Sequence, residues 1–115
     1  MKIKTVLLIL VCILPMTLQA NGVEYKSGNE LLVDCTNKNV GRYGICLGYL
    51  ISVNDTHNTL AGLKYIKAEI CIPSGVTVKQ LKQLFLNFAN YQPQYLNNNA
   101  SSIIFAIYRK EFPCK

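Results

Sequence analysis

The sequence holds little from which a catalytic or metal centre is built. It has one histidine, His57, and no two of its cysteines stand at C-x-x-C spacing, which excludes the common zinc sites. Its six acidic residues are spread singly along the chain, leaving no carboxylate pair for general acid and base work. Ser27, Ser52, Ser74, Ser101 and Ser102 all lack the context of a nucleophile elbow. The basic residues are scattered too. Lys64 with Lys67 and Lys79 with Lys82 come nearest to clusters, and both pairs read as solvated helix faces rather than a nucleic-acid groove. There is no internal repeat, linker or low-complexity tract, and no apolar run reaches the roughly 20 residues of a membrane span. We therefore expect no catalytic residue, no metal and no cofactor.

What is present begins with a leader. Lys2 and Lys4 precede an apolar run from Val6 to Leu14, Pro15 interrupts it, and Leu18, Gln19 and Ala20 close the segment. This is the order of a secretory signal peptide cleaved after Ala20, with Cys12 an ordinary residue of its apolar stretch. Residues 21–115 then form one domain. Lys2 and Lys4 leave with the leader, so the net charge falls from +6 to a modest +4. A chain of this size buries only about 60 to 65% of the surface it exposes when unfolded, so crosslinks matter to it. Cys35, Cys46, Cys71 and Cys114 remain, and an even count in an exported chain implies two disulfides.

Helix signals recur along this domain. Ser27 and Asn29 offer N-cap oxygens ahead of Glu30, Leu31, Leu32 and Val33, and the Asn- and Gly-bearing stretch 36–41 ends that first helix. From Arg42 the chain is apolar on nearly every side, with Cys46, Tyr49, Leu50 and Val53 on one stripe, as a central helix requires. Gly44 and Gly48 within it suggest close approach of another helix; a strand over residues 47–53 is the competing reading. Residues 54–58 (NDTHN) read as a loop. Residues 60–70 stay ambiguous, with Leu63, Ile66 and Ile70 a possible helical face capped by Thr59. Thr77 and Gln80 form a capping box, behind which Leu81, Leu84, Phe85 and Phe88 recur at helical spacing until Pro93. Asn97 to Asn99 then cap a last helix whose buried stripe is Ala100, Ile103, Ile104 and Ile107.

The order of elements sets the crosslinks. Cys71 precedes one long helix and Cys114 follows the next, while Cys35 and Cys46 flank the turn between the first two. We therefore pair Cys35 with Cys46 and Cys71 with Cys114, loops worth roughly 3 and roughly 4 kcal/mol in the chain-entropy model. The predicted fold is all-α, a small disulfide-crosslinked bundle of four to five helices.

The export signal, CLGYLISVND at residues 46–55, CIPSGVTVKQL at residues 71–81 and FPC at residues 112–114 together resemble the Rap/Tai family of bacterial immunity proteins. The likeness covers nearly all of residues 21–115. It implies a small periplasmic helical protein with two disulfides, often dimeric, that protects a cell from peptidoglycan-cleaving amidase effectors delivered by type VI secretion. Asn99 stands where the family often has proline, and Ser52 where it commonly has glycine. These departures leave the fold expectation intact and the particular effector open.

On this reading the partner is a cognate amidase effector, with a homodimer as a further possibility and with no nucleic acid or, after leader cleavage, membrane. A general periplasmic chaperone or envelope-assembly factor is the alternative from another class. Rigid scaffolds tend to bind through the loops they hold out. Two loops qualify: residues 54–60, with Asp55 and His57, and residues 91–99, with Gln92, Gln94 and Tyr95. Leu86 and Phe105 fall off the buried stripes and are the exposed apolar candidates for a homodimer seam.

Overall fold

The computed structural model describes residues 24–115, so the expected leader, residues 1–20, lies outside the described residues. Four α-helices and one short 3-10 turn make up the regular structure, with no β-strand among the described residues. The chain is an all-α bundle.

Each helix starts where a side-chain oxygen satisfies a backbone N–H left free by the first turn. Ser27 caps α1 (Gly28–Thr36) and Glu30 completes a capping box. Asn39 caps α2 (Val40–Gly62), accepting from the Arg42 N–H at 3.1 Å. Thr77 and Gln80 make the capping box of α3 (Val78–Tyr91). Proline at residue 93 stops α3 and opens the 3-10 turn Pro93–Tyr95, after which Asn99 caps α4 (Ala100–Glu111).

Residues 54–60 are not a loop: they are helical, within a single 23-residue α2 about 35 Å long. The polar run NDTHN sits inside that helix because its one core-facing member, His57, continues the Cys46, Leu50 and Val53 stripe at helical spacing. Thr59 is therefore interior and caps nothing. Residues 63–77 form no helix. At the end of α2 the N–H of Tyr65 donates to the Leu60 carbonyl and that of Lys64 to the Ala61 carbonyl, and Lys64 takes the left-handed conformation with φ 62°. That is a Schellman ending with lysine where glycine is usual; Gly62 stands two residues too early to serve.

The segment that follows is tied to the C-terminus. Ile70 bridges Pro113, the Cys71 N–H donates to the Phe112 carbonyl at 2.8 Å, and Cys71 is bonded to Cys114. Gly75, at φ 96°, makes the turn that leads into α3. The other disulfide joins Cys35 to Cys46 across the α1–α2 turn, so both pairings follow the helix order.

Each helix packs against the other three. The core takes Leu31 and Cys35 from α1, Cys46 and Leu50 from α2, Leu81, Phe85 and Ala89 from α3, and Ala100, Ile103, Ile104, Ile107 and Tyr108 from α4. Leu84 and Phe88, expected on the buried stripe of α3, are only half-buried, and so are Leu86 and Phe105, expected to be exposed. At the N-terminal end, Gly28 lets α1 meet the turn before α4. A Cβ there would stand 2.6 Å from Ile103 Cδ1, and the Gly28 N–H donates to the Asn98 carbonyl at 3.0 Å. The sequence pointed to Gly44 and Gly48 for such an approach. Neither has any neighbour within 4 Å of where a Cβ would be, and Ile45 and Ile51 beside them are exposed, so α2 lies along one side of the bundle with an open outer face.

One buried ion cluster pins α1. Asp34, 1% exposed, accepts from Lys26 Nζ at 2.8 Å and from Arg42 Nη1 at 3.0 Å. Burial pushes its carboxyl upward, and the hydrogen bonds and charges of Lys26 and Arg42 outweigh that, holding the group below its ordinary pKa.

Candidate functional site

The two regions singled out in the sequence as binding loops have different fates. Asp55 is exposed on α2, whereas His57, two residues on and so on another side of the helix, is 3% exposed. The imidazole Nε2 of His57 accepts from the backbone N–H of Glu69 at 3.1 Å and of Ile70 at 3.4 Å. Both partners are donors, which places the ring proton on Nδ1, 3.3 Å from the Asn58 side-chain oxygen. His57 is thus a fastener between α2 and the segment that follows it, and the little of it that is exposed borders the groove between α2 and α4.

Gln92, Gln94 and Tyr95 do stand at the surface, on the turn between α3 and α4. Gln92 ends α3, and the Gln94 amide donates to its side-chain oxygen at 3.2 Å. Tyr95 is 48% exposed, its ring 6.4 Å from that of Phe88. Gln92 and Tyr95 border a groove of about 470 Å³ between α3 and α4, whose rim carries both Lys110 and Glu111.

A second groove, about 580 Å³, lies on the other flank of α4. Its walls are Tyr49, Val53 and Leu60 from α2, Ile66 from the segment after it and Phe105 from α4, with Arg109 at the rim. The sequence did not reveal it. Reading residues 54–60 as a loop removed the wall on which the groove depends, although the spacing of Val53, His57 and Leu60 extends the helical period and was the available signal. A third hollow, lined by Phe88, Tyr95, Ser102 and Ala106 among others, lies between the first two. Ala106 borders all three, so the outer face of α4 is a low ridge of small side chains with aromatic-walled hollows on either side.

Both nitrogens of the described histidine are engaged, and Cys35, Cys46, Cys71 and Cys114 are all crosslinked. Among the described residues no group of three or more His, Cys, Asp or Glu is placed to hold a metal ion, and no helix is long and apolar enough to cross a membrane.

A family model for Rap1a immunity proteins matches residues 27–114. The chain belongs to the Rap1a immunity protein family. The matched span runs from the Ser27 cap of α1 to Cys114, and so takes in all four helices and both disulfides of this immunity protein. No curated protein sequence and no solved structure matches the chain.

Proposed function

We propose that this immunity protein acts in the periplasm, where it binds and inhibits a peptidoglycan-cleaving amidase effector of type VI secretion. The family match over residues 27–114 is the observation that carries the reading. Two disulfides suit an oxidising compartment, in keeping with the export signal expected in residues 1–20. A crosslinked bundle with a helix capped at every start is a preorganised surface, suited to one folded partner.

The contact includes the turn that carries Gln92, Gln94 and Tyr95. Its amides reach toward the backbone of a peptide-binding cleft, and the Tyr95 ring supplies an anchor at small entropic cost. Asp55 contributes from the exposed side of α2, while His57 supports the contact only by holding residues 69 and 70. A homodimer, which resemblance to the family also implies, belongs to the same reading.

The test is protection. A candidate amidase effector is expressed with a periplasmic export signal, with and without this protein. Cells that make both are expected to survive; lysis despite export of this protein overturns the pairing.

A further inference from the structure

We infer that His57 is an acid-released latch: when its ring takes up a second proton, residues 66–69 are released from α2 and one wall of the groove between α2 and α4 opens. The inference goes beyond the immunity reading and does not depend on it.

The latch follows from which atoms can accept. Nε2 of His57 receives the backbone N–H of Glu69 at 3.1 Å and that of Ile70 at 3.4 Å, while Nδ1, which carries the proton, lies 3.3 Å from the side-chain oxygen of Asn58. Only the neutral ring can do this. A second proton goes to Nε2 and turns the acceptor into a donor, so both bonds are lost and one N–H is set against two others. The ring is 3% exposed, which leaves water little room to replace those bonds and makes the charged form costly to desolvate. Histidine is the side chain whose ordinary titration falls between about pH 5 and about pH 8, and His57 is the only one in the sequence. The hold is therefore present while the ring is neutral and is lost as pH falls.

The surroundings leave the second proton without a carboxylate of its own. The titratable and charged groups around the ring are Tyr49 and Asp55 on α2, Lys67 and Glu69 on the held segment, and Arg109 on α4. Asp55 is exposed on another side of its helix, and Glu69 has Arg109 at 3.9 Å. From α4 the imidazole meets the Phe105 ring, 5.9 Å away between centroids, and Arg109 already approaches that ring at 5.9 Å.

Release is local because the segment is fastened independently at both ends. At one end the N–H groups of Lys64 and Tyr65 close α2. At the other, Ile70 is buried, Cys71 is bonded to Cys114, and the Cys114 N–H donates to the Glu69 carbonyl at 3.3 Å. None of these ties involves the imidazole. Between them residues 62–69 are exposed, and Ile66 walls the groove beside His57 and Leu60. Loss of the latch frees that wall to move while the bundle stays folded.

Nuclear magnetic resonance on the purified, disulfide-intact protein tests this, following the His57 ring and the amide exchange of Glu69 and Ile70 from about pH 8 to about pH 5. As the ring charges, protection of these two amides, corrected for the intrinsic pH dependence of exchange, is expected to fall about tenfold or more. Protection of the Ile104 and Tyr108 amides in the core of α4 is expected to hold. His57→Gln, which keeps a side-chain acceptor and does not titrate, should abolish the fall; Glu69→Gln, which removes the neighbouring carboxylate, should keep it. If His57→Gln does not fold, the coincidence of ring titration with amide release in wild type and in Glu69→Gln decides the matter. A ring that stays neutral down to about pH 5, or one that titrates while both amides stay protected, overturns the inference. A fall that persists in His57→Gln overturns it too, and one that vanishes in Glu69→Gln assigns the effect to the carboxylate instead. Simultaneous loss of protection at Ile104 and Tyr108 would mean global unfolding and would also overturn it.

Discussion

The hydroxyl of Tyr108 donates to the main-chain carbonyl of Leu50 at 3.0 Å, joining α4 to α2 across 58 positions of sequence inside the core. Tyr108 is fully buried, which pushes its hydroxyl pKa upward and keeps it protonated as a donor. Phenylalanine fills the same space without the bond. Tyr108→Phe is therefore expected to cost about 1 kcal/mol, the usual net worth of a neutral hydrogen bond, as read from urea unfolding. A loss below measurement would mean that packing alone sets the spacing of the two helices.

Asp34 gives the fold a dependence on acidity. Its folded-state pKa lies below the ordinary value of 3.8, so its contribution is fully present above that value and disappears as pH falls through the lower, folded-state one. Asp34→Asn exchanges charge-assisted bonds for weaker ones and is expected to cost roughly 2 to 3 kcal/mol at neutral pH. The melting temperature of the variant should also fall less steeply than that of wild type below about pH 4. Parallel curves for the two proteins would show that other carboxylates carry the acid sensitivity.

Lys64 holds a left-handed conformation that disfavours any residue with a Cβ by roughly 1 to 2 kcal/mol. Glycine removes that cost and adds back part of it as chain entropy. Lys64→Gly is expected to raise stability by about 0.5 to 1 kcal/mol, measured by thermal or urea unfolding. Destabilisation would indicate that the lysine side chain makes a contact worth more than the strain.

The two disulfides differ in access. Cys35 and Cys46 are buried, while Cys71 is exposed and Cys114 half-buried. A dithiol reductant under native conditions is expected to open Cys71–Cys114 first, as seen by alkylation and mass spectrometry. Its loss should lower stability by up to about 4 kcal/mol, because it closes a loop of 43 residues. Opening of Cys35–Cys46 first would require the α1–α2 turn to open more readily than the C-terminal clasp.

Much of this molecule was legible in its sequence where local chemistry decides the outcome. Thr77 with Gln80 marked the start of α3, Pro93 its end, and Ala100, Ile103, Ile104 and Ile107 the buried side of α4. Helix order alone gave both disulfide pairs. Residues 54–60 were misread because Asn, Asp, Thr and His have weak helix propensity, and propensity yields when tertiary packing holds both sides of a segment. The His57 side chain supplies that hold through bonds to residues 12 and 13 positions away, which no local pattern records. The candidate site suffered accordingly. Pro93 announces the turn on which Gln92, Gln94 and Tyr95 stand exposed, but the α2–α4 groove depends on a helix end that was taken for a loop. Gly44 and Gly48 misled for the opposite reason, since small residues permit a neighbour without requiring one.

The immunity function itself is tested most directly by inhibition in solution. Purified peptidoglycan is incubated with a candidate amidase effector, and released peptides are followed by chromatography as residues 21–115 are titrated in. Cleavage is expected to fall to zero near one equivalent of this protein to one of enzyme. Undiminished cleavage in the presence of a large molar excess would contradict the proposed function.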